Sequence, residues 1–108
     1  MLYREGEVMP KDLTLSQLLD VYGSLLPPKQ RLLCELYYDE DLSLAEIAEN
    51  EGITRQGVRD ALKKAEQQLH VFEENLGLLK KTEALRAGAE AVKNGGDINK
   101  LYDLIDSF

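Results

Sequence analysis

The apolar residues between positions 58 and 79 recur at alternating intervals of four and three, and this spacing constrains the fold more than any other feature. The series consists of Val58, Leu62, Ala65, Leu69, Phe72, Leu76 and Leu79. Strict alternation over three heptads is typical of a helix whose narrow apolar seam packs against a partner helix. A helix over residues 55–79 would be about 37 Å long, so we expect its far half to project beyond a compact three-helix core.

Capping residues, prolines and glycines divide the rest of the chain into further helices. Thr14 and Gln17 have capping-box spacing, and the first helix carries apolar residues as far as Leu26. Pro27 stops that helix, and Pro28 suits the first position of the next one. Ser43 and Glu46 also have capping-box spacing, which predicts a helix start at Ser43. The other helix starts are predicted at Thr54, Thr82 and Asp97, with stops at Gly52 and at residues 94–96. No segment alternates with period two, so the sequence predicts an all-α fold without a sheet.

Length and composition limit what such a chain does. With 108 residues, it suits one compact domain, and no stretch approaches the ~20 apolar residues of a membrane span. The sequence also lacks the pattern of a secretory signal, so we expect a cytoplasmic protein. Cys34 is the one cysteine and His70 the one histidine, which excludes an internal disulfide and argues against a zinc site. We expect neither a metal nor another cofactor.

The segment from Leu44 to Lys63, LAEIAENEGITRQGVRDALK, has the pattern of a helix-turn-helix. Two helices that meet at a sharp angle need a small residue at their contact, a glycine at the turn and apolar inner faces. The small residue is Ala48 and the glycine is Gly52. The inner faces are predicted from Ile47, Ile53, Val58 and Leu62. The sequence therefore predicts a helix-turn-helix, with a long heptad-patterned fourth helix and two C-terminal helices after it.

The second helix of this unit is predicted to contact nucleic acid through a polar stripe beside its buried face. At about 100° per residue, Arg55, Arg59, Lys63 and Gln56 fall together between roughly 60° and 160° from Val58. Arginine and glutamine can bind guanine and adenine in the major groove, and lysine and the Thr54 hydroxyl suit phosphates. A solvated basic face is the alternative interpretation of the same residues.

Net charge is −7, from 20 acidic and 13 basic residues, which argues against binding of nucleic acid by bulk charge. Counted by segment, residues 55–65 carry +3 and are the one net-positive segment, whereas residues 43–54 carry −3. Glu46, Glu49 and Glu51 in the preceding helix would oppose a phosphate backbone. We therefore expect a single copy to bind weakly and with strong salt dependence.

Weak binding by one copy favours a homodimer, in which two reading helices add their contacts. The seam residues Leu69, Phe72, Leu76 and Leu79 are candidates for that interface. Helices five and six provide the alternative cover, either within the chain or exchanged across a dimer. Predicted regions are a flexible lead-in over residues 1–12, a helix-turn-helix domain over 13–65 and a helical extension over 66–108.

Other side chains indicate no catalysis. Cys34 is expected to be a buried filler, His70 a surface or interface residue, and Tyr37 with Tyr38 the core and rim of the second helix. The acidic run 39–41 fits a solvated loop better than a cation site. No nucleophile with a base and no phosphate-binding glycine loop is found, so we expect a protein that is not an enzyme.

The chain resembles the YlxM-like helix-turn-helix proteins of Gram-positive bacteria over residues 13–79. The resemblance rests on a leucine pair, Lys29-Gln30-Arg31, Leu36-Tyr37-Tyr38, Asp41, Ser43-Leu44, Glu46-Ile47-Ala48 and Arg55-Gln56. More distantly, the chain is similar to the promoter-reading C-terminal module of bacterial sigma factors, which implies a sigma-like, three-helical DNA-binding fold without a sheet. Carried over from that module, the reading positions fall on Thr54, Arg55, Gln56, Arg59 and Lys63.

This resemblance implies an all-α cytoplasmic protein whose gene commonly neighbours that of the signal recognition particle GTPase, with a regulatory role in that pathway. Its partners would be DNA, RNA, or the particle's GTPase or RNA. An alternative is a protein-interaction module that docks on that GTPase or on RNA polymerase, with DNA contact vestigial. Two residues depart from the pattern: Gly57 stands where relatives usually have alanine, and Arg59 where tyrosine is common.

Overall fold

The computed structural model describes residues 13–108, and six α-helices occur within them. The helices are α1 Leu13–Tyr22, α2 Pro28–Cys34, α3 Leu44–Glu51, α4 Arg55–Leu76, α5 Leu78–Lys93 and α6 Ile98–Asp106. No strand is present over this range, which confirms the all-α prediction. The predicted lead-in over residues 1–12 lies outside the described residues.

The two prolines act as predicted, but both neighbouring helices end in irregular turns. α1 ends at Tyr22 and a 3₁₀ turn, Gly23–Leu25, replaces the predicted last α-helical turn. Pro28 occupies the first turn of α2, where its missing N–H costs no hydrogen bond. α2 then runs directly into a π-helical turn over Glu35–Asp39. The apolar periodicity gave no sign of this wider turn.

One compact unit contains the described residues up to Asn75, and the seam of α4 is its centre. Val58, Leu62, Ala65 and Leu69 are completely buried. The Tyr22 ring of α1 packs beside the half-buried Phe72, with ring centroids 5.8 Å apart. The early seam is therefore covered by the N-terminal helices of its own chain, and the prediction that the far half of the helix projects beyond the core is wrong as far as Phe72.

The prediction of a continuous seam from Val58 to Leu79 is also wrong at its C-terminal end. α4 stops at Leu76, and Gly77 adopts the left-handed conformation with φ 61°. Glycine enters this conformation without the steric cost that a Cβ imposes, so it breaks the helix. Leu79 consequently lies on α5, and Leu76 is 44% exposed. Thr82 does not cap α5, because it lies inside that helix and donates to the Leu78 carbonyl at 2.6 Å.

A second compact unit, Leu76–Phe108, is a hairpin of α5 and α6. The close approach of the two helices is at Gly88, where an added Cβ would lie 2.9 Å from Leu101 Cδ1 and 3.3 Å from Leu104 Cδ2. Asp97 caps α6 as predicted, accepting from the Asn99 N–H at 2.9 Å. Neither helix contains a buried residue. Leu101 and Leu104 face α5, whereas Ile98, Tyr102, Ile105 and Phe108 are 45–58% exposed.

No helix over residues 13–108 combines the length and the apolar character that crossing a membrane requires.

Candidate nucleic-acid interface

A reciprocal capping box starts α3, the first helix of the predicted helix-turn-helix. The Ser43 hydroxyl accepts from the Glu46 N–H at 3.1 Å, and the Glu46 carboxylate accepts from the Ser43 N–H at the same distance. Both bonds satisfy amide groups that have no partner inside the helix. Ser43 and Glu46 have the spacing from which this box was predicted, and the prediction is confirmed.

Three residues connect α3 to α4, and Gly52 makes the turn. Its φ of 68° is left-handed, and the Ile53 N–H donates to the Ala48 carbonyl at 3.1 Å, which closes the end of α3. Thr54 then caps α4, because its hydroxyl oxygen accepts from the Gly57 N–H at 2.9 Å. The predicted helix stop and helix start are both confirmed.

The inner faces of the two helices are apolar, with one correction. Ile47, Val58 and Leu62 are completely buried, and Ala48 is 8% exposed at the helix contact. Ile53, which was predicted to lie on the inner face, is instead 37% exposed. It belongs to the three-residue turn and so lies outside the 3.6-residue periodicity of both helices, which is the pattern from which its burial was inferred.

The predicted reading residues lie at the start of α4, and most of them are exposed. Thr54, Arg55, Gln56 and Lys63 are exposed, and Arg59 is half-buried. Arg55, Arg59 and Lys63 follow one another at intervals of four residues, so they form one row about 12 Å long at 1.5 Å per residue. We call the five residues the reading surface. A row of this length is comparable with the width of the DNA major groove, about 12 Å.

Asp60 is a member of the site that sequence reasoning missed. Its carboxylate accepts from the Gln56 amide nitrogen at 2.8 Å, one helical turn away. This bond orients the glutamine side chain and leaves its amide oxygen and second N–H for a ligand. A glutamine and an aspartate four residues apart form a helix-stabilising hydrogen bond. This spacing was the signal in the sequence by which Asp60 could have been found.

The three glutamates of α3 differ in how they are held. Glu46 belongs to the capping box, and Glu51 forms an ion pair with Lys29 at 3.1 Å. Glu49 is exposed. The acidic segment beside the reading surface is therefore partly neutralised by a lysine of α2.

Two tyrosine–glutamate hydrogen bonds fix α4 against the N-terminal helices. Tyr22 donates to Glu73 at 2.6 Å, and Tyr38, which is half-buried, donates to the buried Glu66. Burial raises the pKa of the Glu66 carboxyl from its ordinary 4.5 to about 7. These bonds join residues 51 and 28 positions apart, so no local pattern indicated them.

The cysteine, tyrosines and histidine that were considered for reactivity, base stacking or metal binding lie in the core, at its rim or on the surface. Cys34 is completely buried, which confirms its role as a filler, and burial raises the pKa of its thiol to about 12. Tyr37 is buried and Tyr38 lies at the rim, as predicted, and burial raises the pKa of Tyr37. His70 is exposed on α4. No group of three or more His, Cys, Asp or Glu side chains over residues 13–108 is placed to hold a metal ion.

Comparison with known proteins places the chain in a family. Residues 9–105 match the model of the UPF0122 family, described as "Putative helix-turn-helix protein, YlxM / p13 like". The chain belongs to the UPF0122 family. The match spans both compact units, and it confirms the resemblance that the sequence motifs indicated.

Curated relatives carry the same family name. The UPF0122 protein of Halalkalibacterium halodurans is 40% identical over 104 residues, covering 93% of this chain and 95% of the relative. The UPF0122 protein of Thermoanaerobacter sp. (strain X514) is 46% identical over 86 residues, covering 80% and 74%. The one from Desulforamulus reducens is 57% identical over 67 residues, covering 62% and 57%. These names state the family, and the helix-turn-helix geometry above agrees with its description.

Proposed function

We propose that this UPF0122 protein is a non-enzymatic regulator that binds nucleic acid through the reading surface of α4. The observation that supports this most directly is the row of Arg55, Arg59 and Lys63 on a helix that follows a tight glycine turn. The side chains of the reading surface each have a matching group on nucleic acid. Arginine pairs with guanine O6 and N7, glutamine with adenine, and lysine with phosphate oxygens.

The start of α4 supplies a further contact for phosphate. Thr54 accepts the Gly57 N–H through its oxygen, so its own O–H is available to donate. The helix dipole adds partial positive charge at the same end. These groups would position the duplex, and the arginine and glutamine side chains would read base edges.

Double-stranded DNA fits this surface better than double-stranded RNA. The major groove of B-DNA admits an α-helix, whereas the major groove of A-form RNA is too narrow for side chains to read. A direct comparison of duplex DNA with duplex RNA tests this preference, and tighter binding of RNA by the same residues would contradict it.

A gel-shift assay with pooled random duplexes at several salt concentrations tests the proposal. We expect Arg55→Ala with Arg59→Ala to abolish a salt-dependent shift that the wild-type chain gives. Arg86→Ala with Lys100→Ala removes two exposed cations elsewhere and is the matched control. Equal binding by both double variants and the wild-type chain would exclude the assigned surface. Because Arg59 is half-buried, thermal unfolding of each variant should accompany the assay.

The link to the signal recognition particle is part of the same proposal and rests on the family resemblance. Crosslinking in a cell lysate, followed by identification of the attached species, tests it. Recovery of the particle's GTPase or RNA is the expected result. Recovery of unrelated nucleic acid alone would restrict the proposal to nucleic-acid binding.

A protein-interaction module is the second candidate function, with the GTPase of the particle or RNA polymerase as its partner. The exposed apolar residues of α6 favour it, because exposed apolar patches commonly mark binding sites. An interaction that survives nuclease and high salt would support this function. Loss of the interaction after nuclease treatment would support the first.

The proposed function also calls for pairing of two chains, because +3 on one segment gives few phosphate contacts. Two linked reading surfaces would add their contacts and bind more tightly than either alone.

A further inference from the structure

The outer face of α6 is apolar and has no cover in its own unit. Ile98, Tyr102 and Ile105 recur at intervals of four and three, and Phe108 lies two residues beyond the end of the helix. Their exposed fractions are 50%, 58%, 45% and 46%. Anchors at i, i+4 and i+7 are the pattern by which an amphipathic helix lies in an apolar groove.

The unit that carries this face has little core of its own. Neither α5 nor α6 contains a buried residue, and the contact between them depends on Gly88 with Leu101 and Leu104. Covering the outer face of α6 would remove apolar surface from water, which is favourable. A surface of this kind favours a partner.

The first compact unit has a groove whose lining matches this face. Its volume is about 530 Å³, within the ~300–1,000 Å³ range of ligand sites. Leu25, Pro27, Val71 and Phe72 form its apolar part, and Leu25 and Val71 are 55% and 44% exposed. Lys64 also lines it, together with Gln30, Gln67 and Gln68.

The charges of the helix and the groove are opposite. At about 100° per residue, Asp106 lies roughly 40° from Tyr102, at the edge of the apolar stripe of α6, and it is exposed. Lys64 is the one cation in the groove lining. A carboxylate of α6 placed against Lys64 would form an ion pair while the apolar anchors cover Leu25 and Val71.

We propose that α6 of one copy docks into this groove of a second copy, and that the exchange is reciprocal. Each copy then gives one helix and receives one, which is the closed two-fold arrangement usual for dimers. At about 100° per residue, Lys64 and Val71 lie roughly 120–180° around α4 from Arg55 and Arg59 and about 80–100° from Lys63, so docking in this groove does not cover the two arginines of either copy. The inference supplies the pairing that the proposed function calls for, and so it rests on that proposal.

Charge reversal combined with mixing tests the docking without nucleic acid, so its failure is distinct from a failure of nucleic-acid binding. Light scattering of the wild-type chain should give twice the chain mass of 12.2 kDa. Lys64→Glu alone and Asp106→Lys alone should each give monomers. Mixed together, they should form a heterodimer, because one contact is then native and the other has both charges reversed. Lys63→Glu, which reverses a charge outside the groove, is the matched control and should stay dimeric.

Three results would overturn the proposal. A monomeric wild-type chain would exclude a second copy as the occupant. The two single variants could instead stay monomeric on mixing, while a chain that carries both changes forms dimers again. That result would show that the contact forms within a chain. Dimers that persist in both variants and in Ile105→Asp would place the interface elsewhere.

Discussion

The hydroxyl of Tyr38 donates to the carboxylate of Glu66, and the pair joins the π-helical turn after α2 to the middle of α4. Glu66 is 5% exposed, and among residues 13–108 it is the one ionisable Asp, Glu, Lys or Arg side chain that is buried. A buried carboxylate is costly unless a donor satisfies it, so the tyrosine stabilises the packing of α4.

The Glu66 carboxyl makes stability depend on pH. Its folded pKa of about 7 lies above the ordinary 4.5, so the folded chain holds this proton where the unfolded chain does not. The resulting stabilisation is complete below pH 4.5 and is lost as the pH rises through 7. Glu66→Gln keeps an acceptor for Tyr38 and abolishes the titration. Urea unfolding at several pH values should show the variant gaining stability relative to wild type between pH 5 and 8.

Glu74→Gln is the control for this experiment, because it removes an exposed carboxylate from the same helix. Its stability curve should run parallel to that of the wild-type chain. Parallel curves for Glu66→Gln as well would show that burial of Glu66 does not govern the pH dependence.

Gly52→Ala should destabilise the chain by about 1 kcal/mol, because a Cβ is unfavourable in the left-handed conformation. The cost is conformational alone, since nothing lies within 4 Å of the added Cβ. Gly52→Asn should lose less, because asparagine tolerates this conformation better. Chemical denaturation of the two variants measures the difference. Equal stability of Gly52→Ala and wild type would mean that the turn relaxes to another conformation.

Thr54→Ala should cost about 1 kcal/mol, the usual value for loss of an N-cap. The Gly57 N–H then loses the acceptor that lies 2.9 Å away. Thr54→Ser retains the hydroxyl and should remain close to wild type in thermal unfolding. If serine and alanine destabilise equally, the hydroxyl contributes nothing and the methyl group of Thr54 is responsible.

Gly88→Val should loosen the α5–α6 hairpin, because a Cβ at this position meets Leu101 Cδ1 at 2.9 Å and valine adds two further methyl groups. Hydrogen exchange of the α6 amides should become faster. Ala87→Val places the same side chain at an exposed position of the same helix and is the control. Protection that falls equally in both variants would trace the effect to the low helix propensity of valine rather than to the contact.

The sequence predicted the parts of the fold that depend on local chemistry. The capping box of Ser43 and Glu46, the left-handed Gly52 and the caps at Thr54 and Asp97 each depend on residues within a few positions of one another. The buried seam as far as Leu69 followed equally from its spacing. Local patterns of this kind are visible without knowledge of the fold.

Features that depend on distant residues were not predictable in this way. The seam indicated a partner helix for α4, but it did not show that α1 supplies part of it through Tyr22 and Phe72. The break at Gly77 was missed because the apolar spacing continues through it to Leu79. At the reading surface, exposure of Arg55 and Lys63 followed from periodicity, whereas the hold of Asp60 on Gln56 needed the side-chain geometry.

The ion pair between Lys29 and Glu51 lies between α2 and α3, and it bears on the strength of binding rather than on its sequence preference. Lys29 lies on α2, outside the reading surface, and its partner belongs to the acidic helix next to that surface. Under the proposed function, substitution at Lys29 would alter the electrostatic attraction for every duplex equally, since it changes no group proposed to contact a base. The strength of binding could then change through α2 while the choice of sequence stays with α4.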